Sequence, residues 1–121
     1  DVNSKLYIDK TADYISLEDA IEVVKKCNGL VFLPHLFIYK WAEDKEKFID
    51  EILENYSIDG IECMHSEFND EQIQYLLKLT KERNYFRSGG SDYHGVNKVG
   101  IGLGCGKGNL QIPEEFVEEW K

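Results

Sequence analysis

Aspartate and histidine stand two residues apart in Gly89-Gly90-Ser91-Asp92-Tyr93-His94-Gly95, and the other two histidines, His35 and His65, each follow an apolar run. In extended backbone, residues i and i+2 project to the same side. Asp92 and His94 can then meet one ion while Tyr93 turns the other way into packing. A carboxylate oxygen with an imidazole nitrogen is a mixed hard and borderline donor set, suited to manganese, zinc or iron. Gly89 and Gly90 lack a Cβ and let the chain approach a crowded centre. A plainer reading stands beside this one: an aspartate that caps a turn next to a surface histidine. For His35 and His65 it is a hydrogen-bonded packing imidazole, and Glu62 is either a ligand or a carboxylate at a strand end. Coincidence favours chemistry. All three histidines come directly after predicted strands, and in parallel α/β proteins the loops at the carboxyl ends of strands converge on one ligand site.

The elements that would place those loops alternate along the chain. Residues 16–27 space Leu17, Ala20, Ile21 and Val24 as a helix, with Ser16 as its cap and Asn28-Gly29 as its stop. The run Leu30-Val31-Phe32-Leu33 follows, unbroken as in a strand buried on both faces. A second helix over 44–55 carries Phe48, Ile49, Ile52 and Leu53 on one face, and a strand over 60–64 comes after it. A third helix opens at Asn69, with Gln72 completing a capping box, and leads to a strand at Tyr85-Phe86-Arg87-Ser88. Helix and strand in alternation predict a parallel sheet and an α/β fold. Beyond Asp92 a glycine-rich segment reads as an ordered loop around the rim, ending in a helix opened by Pro113. Its glycines do not match a dinucleotide-binding turn between strand and helix. Leu6-Tyr7-Ile8 is a possible further strand.

With 121 residues, 42% of them hydrophobic, the chain can bury one core and does not read as disordered. A net charge of -9 argues against a broad electrostatic grip on nucleic acid or an anionic membrane. Phosphate binding would therefore rest on metal or on a few local donors. No apolar run approaches the roughly 18 residues of a membrane span, and no secretory pattern opens the chain, so the expected location is cytoplasmic. Cys27, Cys63 and Cys105 form no CxxC pair and are expected to be reduced thiols.

The segments 20–35, Asp59-Gly60-Ile61-Glu62, Glu71-Gln72 and above all Gly90-Ser91-Asp92-Tyr93-His94-Gly95, with 106–113 behind them, resemble the C-terminal half of PHP (polymerase and histidinol phosphatase) domains. The nearest branch is the stand-alone metal-dependent phosphoesterases. The resemblance implies the C-terminal part of a distorted β/α barrel, parallel strands alternating with helices, with residues 1–121 a single partial domain. The N-terminal metal-binding half, which begins with His-x-His in the family, has no counterpart here. It also implies two or three divalent ions, with His35, Asp92 and His94 as ligands and His65 near the substrate. The family's His-Pro-Gly-Arg-Tyr is replaced by His35-Leu36-Phe37-Ile38-Tyr39, so a phosphate-binding arginine is lost and Lys40 becomes the candidate point charge.

The chemistry so implied is phosphoester hydrolysis, in which bound cations acidify a water and neutralise the phosphoryl oxygens. Ser91 sits in no nucleophile elbow, so a serine route is not expected. Two other readings stay open: a non-catalytic module that binds metal or an anion, and an exonuclease or oligonucleotide phosphodiesterase. The expected partners are a small phosphoester or a short oligonucleotide, with no membrane. A partial barrel would expose apolar faces, so self-association or pairing with a missing half is also expected.

Overall fold

The computed structural model describes residues 14–121, and the strand expected at Leu6-Tyr7-Ile8 lies outside them. Helix α1 (Leu17–Lys26) begins at Ser16, whose hydroxyl accepts from Asp19 N at 3.1 Å. It stops where Asn28 takes a left-handed conformation and Gly29 N reaches back to Val24 O at 2.9 Å. Strand β1 (Phe32–Leu33), helix α2 (Lys45–Asn55), strand β2 (Gly60–His65), helix α3 (Asp70–Arg83) and strand β3 (Phe86–Gly90) follow in turn, and the four-residue helix α4 (Glu115–Glu118) closes the chain. The α3 capping box is present, with Asn69 and Gln72 each accepting from the other's backbone.

The three strands lie parallel in the order β1-β2-β3, as the alternation of helix and strand predicts. The core gathers Leu33, Leu36, Ile49, Leu53, Ile61, Cys63, Leu76 and Leu79 between sheet and helices. A glycine opens β2 because the ring of its partner on β1 lies across it: a Cβ on Gly60 would fall 2.2 Å from the Phe32 ring. The free edge of β3 is closed by the C-terminal segment. Glu119 accepts from Arg87 N at 3.1 Å, and Trp120 Nε1 donates to Arg87 O at 3.2 Å.

Two expectations are corrected here. β1 is two residues long instead of four: Val31 gives only its carbonyl to the sheet, bonding Asp59 N and Gly60 N, and Leu30 is 40% exposed. Continuous apolarity announced a strand covered on both faces, but among the described residues one end of this run has no cover. Helix α1 tells the same story, since Ile21 is its single buried residue while Leu17 and Val23 face outward.

The three cysteines are free thiols, Cys63 buried and Cys27 and Cys105 exposed. No helix among the described residues is long and apolar enough to cross a membrane.

Candidate functional site

Strand β2 is irregular where it nears the site. Its register against β3 slips between Glu62 and Met64, so one extra residue bends the strand before His65 pairs with Gly90. His65 ends the strand with its side chain fully buried. Its Nδ1 accepts from Glu67 N at 3.1 Å. Burial pushes its pKa below the ordinary value, more than the neighbouring Asp92 raises it, so the ring is neutral at pH 7. A neutral imidazole whose Nδ1 accepts carries its proton on Nε2. That N–H faces Asp92 Oδ2 at 3.7 Å and has no hydrogen-bond partner among the described residues.

Asp92 is the hub. Its carboxylate touches Lys98 Nζ through Oδ2 and His94 Nε2 through Oδ1, the latter at 2.9 Å. Lys98 first, then His94, hold its pKa down to about 2 against partial desolvation. The pairing with His94 was expected from extended backbone, and the reason is different: Asp92 has φ 54, a left-handed turn that folds the two side chains together. The same turn leaves Tyr93 48% exposed, so it does not pack beneath the site as expected. Ser91 stays buried and ties the loop down, its hydroxyl accepting from Gly104 N at 3.2 Å.

His35 sits past β1 in a left-handed conformation, φ 37, and its backbone N–H donates to Glu62 Oε2 at 2.6 Å. Its Nδ1 is buried without a partner among the described residues, and its ring lies edge-on to Tyr39 and to His65, at 5.4 and 6.2 Å between centroids. Glu62 is thus neither solvent-facing nor free. Its other oxygen lies where a Cβ on Gly90 would come within 2.5 Å, which accounts for a glycine at that strand end. Burial lifts the Glu62 pKa to about 7, with the His35 N–H opposing the rise and the Asp92 charge adding to it.

A cavity of about 500 Å³ brings His35, Lys40, Glu67, Asp92 and Lys98 to one opening. Of the residues singled out in the sequence, Asp92, His94 and His65 meet directly, His35 and Lys40 line the same cavity, and His94 stands outside its lining on the far oxygen of Asp92. Lys98 and Glu67 were missed. A single lysine six residues beyond Asp92, in a loop, carries no pattern that spacing could reveal. Glu67 is already paired with Lys107 at 2.7 Å.

As a metal site the arrangement fits in part. The Asp92 carboxylate and the His94 imidazole are a suitable pair of donors, and the unpaired His35 Nδ1 is a third donor on a residue that lines the cavity with Asp92. Yet no group of three or more potential ligands is close enough to hold an ion among the described residues. His65 does not add to the set, since its Nε2 bears the proton.

No family model matches the chain, and no curated protein does. A solved structure is similar to it. That structure is of a "putative metal-dependent phosphoesterase" from Bifidobacterium adolescentis, with 27% sequence identity and a TM-score of 0.68 over 98% of this chain. The chain spans 40% of the length of that protein. The likeness is one of fold across nearly the whole of this chain.

Proposed function

We propose that this chain supplies the carboxyl-end portion of a metal-dependent phosphoesterase site of the PHP type. Asp92 and His94 hold a divalent ion, manganese, zinc or iron, with His35 turned to the same centre. The observation that carries the reading is the Asp92 carboxylate, ionised and set between His94, the unpaired Nε2 of buried His65, and a cavity that His35 also lines. A divalent ion at such a place supplies Lewis-acid polarisation of a phosphoryl oxygen and acidifies a nearby water. The protein's own groups bind and orient. The buried His65 turns its Nε2–H to the Asp92 carboxylate, Lys40 adds charge at the mouth of the cavity, and buried Ser91 anchors the turn that aims Asp92. The substrate that suits one cavity of this size on an acidic chain is a small phosphoester.

The competing reading, a module that binds metal or an anion without catalysis, is favoured by the lack of a third clustered ligand among the described residues. Loading the chain with manganese, measuring metal content, and following phosphate release from a phosphomonoester separates the two. Bound manganese and turnover, both lost in the Asp92→Ala/His94→Ala double variant, support the esterase. Bound manganese without turnover, in a protein that carries this chain together with the amino-terminal ligands, supports the module, and no bound manganese in a folded chain rejects both metal readings.

A further inference from the structure

We propose that the rim of the cavity binds an anionic amphiphile, with a small negative head group seated in the cavity and an alkyl or acyl chain laid over the exposed apolar residues beside it. Such binding uses the chain's own side chains, needs no bound ion, and goes beyond the phosphoester reading by naming what the ligand carries outside the cavity. Ten large hydrophobic side chains are exposed among the described residues, and they fall into two groups. Five run from Tyr14 to Leu30. The other five, Trp41, Tyr93, Val96, Val99 and Leu103, stand on the two loops that carry cavity residues at the carboxyl end of the sheet.

Their placement follows the cavity. Trp41 is next to Lys40 and Tyr93 next to Asp92, Val96 and Val99 bracket Lys98, and Leu103 precedes Gly104, whose N–H donates to the Ser91 hydroxyl at 3.2 Å. Val96 and Val99 are 90% and 92% exposed, and Leu103 is 79% exposed. Single exposed apolar side chains are ordinary, but several on one loop at the mouth of a cavity mark a contact surface. The loop is also held in place. Gly102 and Gly106 exchange backbone hydrogen bonds at 2.7 and 3.0 Å, and Asn109 Nδ2 donates to Ser66 O at 3.3 Å, so little ordering remains to oppose binding. Trp41 is likewise stacked on Tyr39 and edge-on to Phe48, with ring centroids 5.6 and 4.7 Å apart.

The cavity lining selects the head group. Phe37 and Ile38 belong to it, so apolar surface continues inside the opening. Glu67 is paired with Lys107 and Asp92 with Lys98, which leaves Lys40 as the lining lysine without an ion pair among the described residues. One uncommitted ammonium beside apolar walls suits a small anion joined to a hydrocarbon chain, whereas an oligonucleotide finds no row of cations to follow.

Calorimetric titration of the metal-free chain with butyl phosphate and with octyl phosphate, the latter kept below its micelle concentration, tests this. Octyl phosphate is expected to bind about 15-fold more tightly, roughly twofold for each added methylene covered on one side only. In Val96→Ser/Val99→Ser, whose changed side chains are exposed and touch little of the fold, the octyl-to-butyl ratio should fall to about threefold or less. Lys40→Gln should weaken both ligands by a similar factor. Absence of binding, equal binding of the two ligands by the parent, or an octyl advantage that survives in Val96→Ser/Val99→Ser overturns the proposal. So does tight binding to phosphatidylcholine vesicles without binding of monomeric octyl phosphate, which would make the loop a membrane-contact surface. A parent dimer that the same double variant converts to a monomer, with no effect on octyl phosphate, overturns it too and gives the loop to a second copy. No manganese is present in these titrations, so each result leaves the metal reading to its own test.

Discussion

Two imidazoles flank the Asp92 carboxylate, and they are built in opposite ways. His65 ends a strand, its side chain has no exposure, and a backbone N–H fixes which nitrogen carries the proton. His94 lies on a glycine-rich loop with 64% of its side chain exposed, and its one polar contact, to Asp92, leaves the ring free to turn. A ligand needs a lone pair aimed outward, whereas a donor needs a proton held in place. The buried histidine is made for the second role and the exposed one for the first. Residues of one type beside one carboxylate thus divide the work by burial and backbone contact.

The largest expected effect tests the burial half of that contrast. His65→Ala removes a packed ring and strands the Glu67 N–H, a loss of about 2–3 kcal/mol in unfolding free energy. His94→Ala, at an exposed site, should stay within about 0.5 kcal/mol. Urea denaturation of the metal-free variants reads both, and equal losses would erase the distinction.

Metal affinity should reverse the order. His94→Ala is expected to weaken manganese binding about 10- to 100-fold, whereas His65→Gln, which can keep a donor near Asp92, should change it by less than about tenfold. A His65→Gln variant that loses manganese as severely as His94→Ala would make His65 a ligand and defeat the tautomer assignment.

The third contrast is in pH. Burial lowers the His65 pKa, so the unfolded chain binds a proton that the folded chain refuses, and stability should fall as pH drops below about 6.5. Asp92 behaves oppositely in origin: its folded pKa is depressed to about 2, so its contribution is present above about 3.8 and disappears only as pH falls through 2. Between pH 7 and 5 the slope therefore includes a His65 contribution, opposed by that of Glu62, and none from Asp92. His65→Gln should remove the loss of stability on acidification and leave the Glu62 gain, and nitrogen NMR of the metal-free protein at pH 7 should show the ring proton on Nε2.

Much of this was legible in the sequence and some was not, for a physical reason that separates the two. Caps and stops are local, so Ser16, Asn28-Gly29 and the Asn69/Gln72 box could be read directly, and alternation of helix and strand yielded the parallel sheet. The meeting of His35, His65 and Asp92 at one end of the sheet followed from that topology. The roles within the site depend on backbone path. A left-handed Asp92, a slip in β2 between Glu62 and Met64, and a loop that returns Lys98 to Asp92 leave no periodic mark. Extended geometry predicted the right pair, Asp92 and His94, and sent Tyr93 the wrong way for the same reason.

Glu62 offers the finest test, because it stands on β2 between the two kinds of group. Like His65 it is held by a backbone N–H, that of His35 at 2.6 Å, and like Asp92 it is a carboxylate. Burial and the Asp92 charge raise its pKa to about 7. A carboxyl whose folded pKa is raised contributes stability that is complete below its unfolded value, near 4.5, and is lost as pH rises through about 7. Glu62→Gln keeps an oxygen for the His35 N–H and removes the ionisation. The metal-free variant should match the parent at pH 4 and exceed it modestly at pH 8, as read by thermal unfolding. A parent more stable than the variant at pH 8 would mean that the ionised carboxylate is itself satisfied there, and that burial alone does not set the difference between these groups.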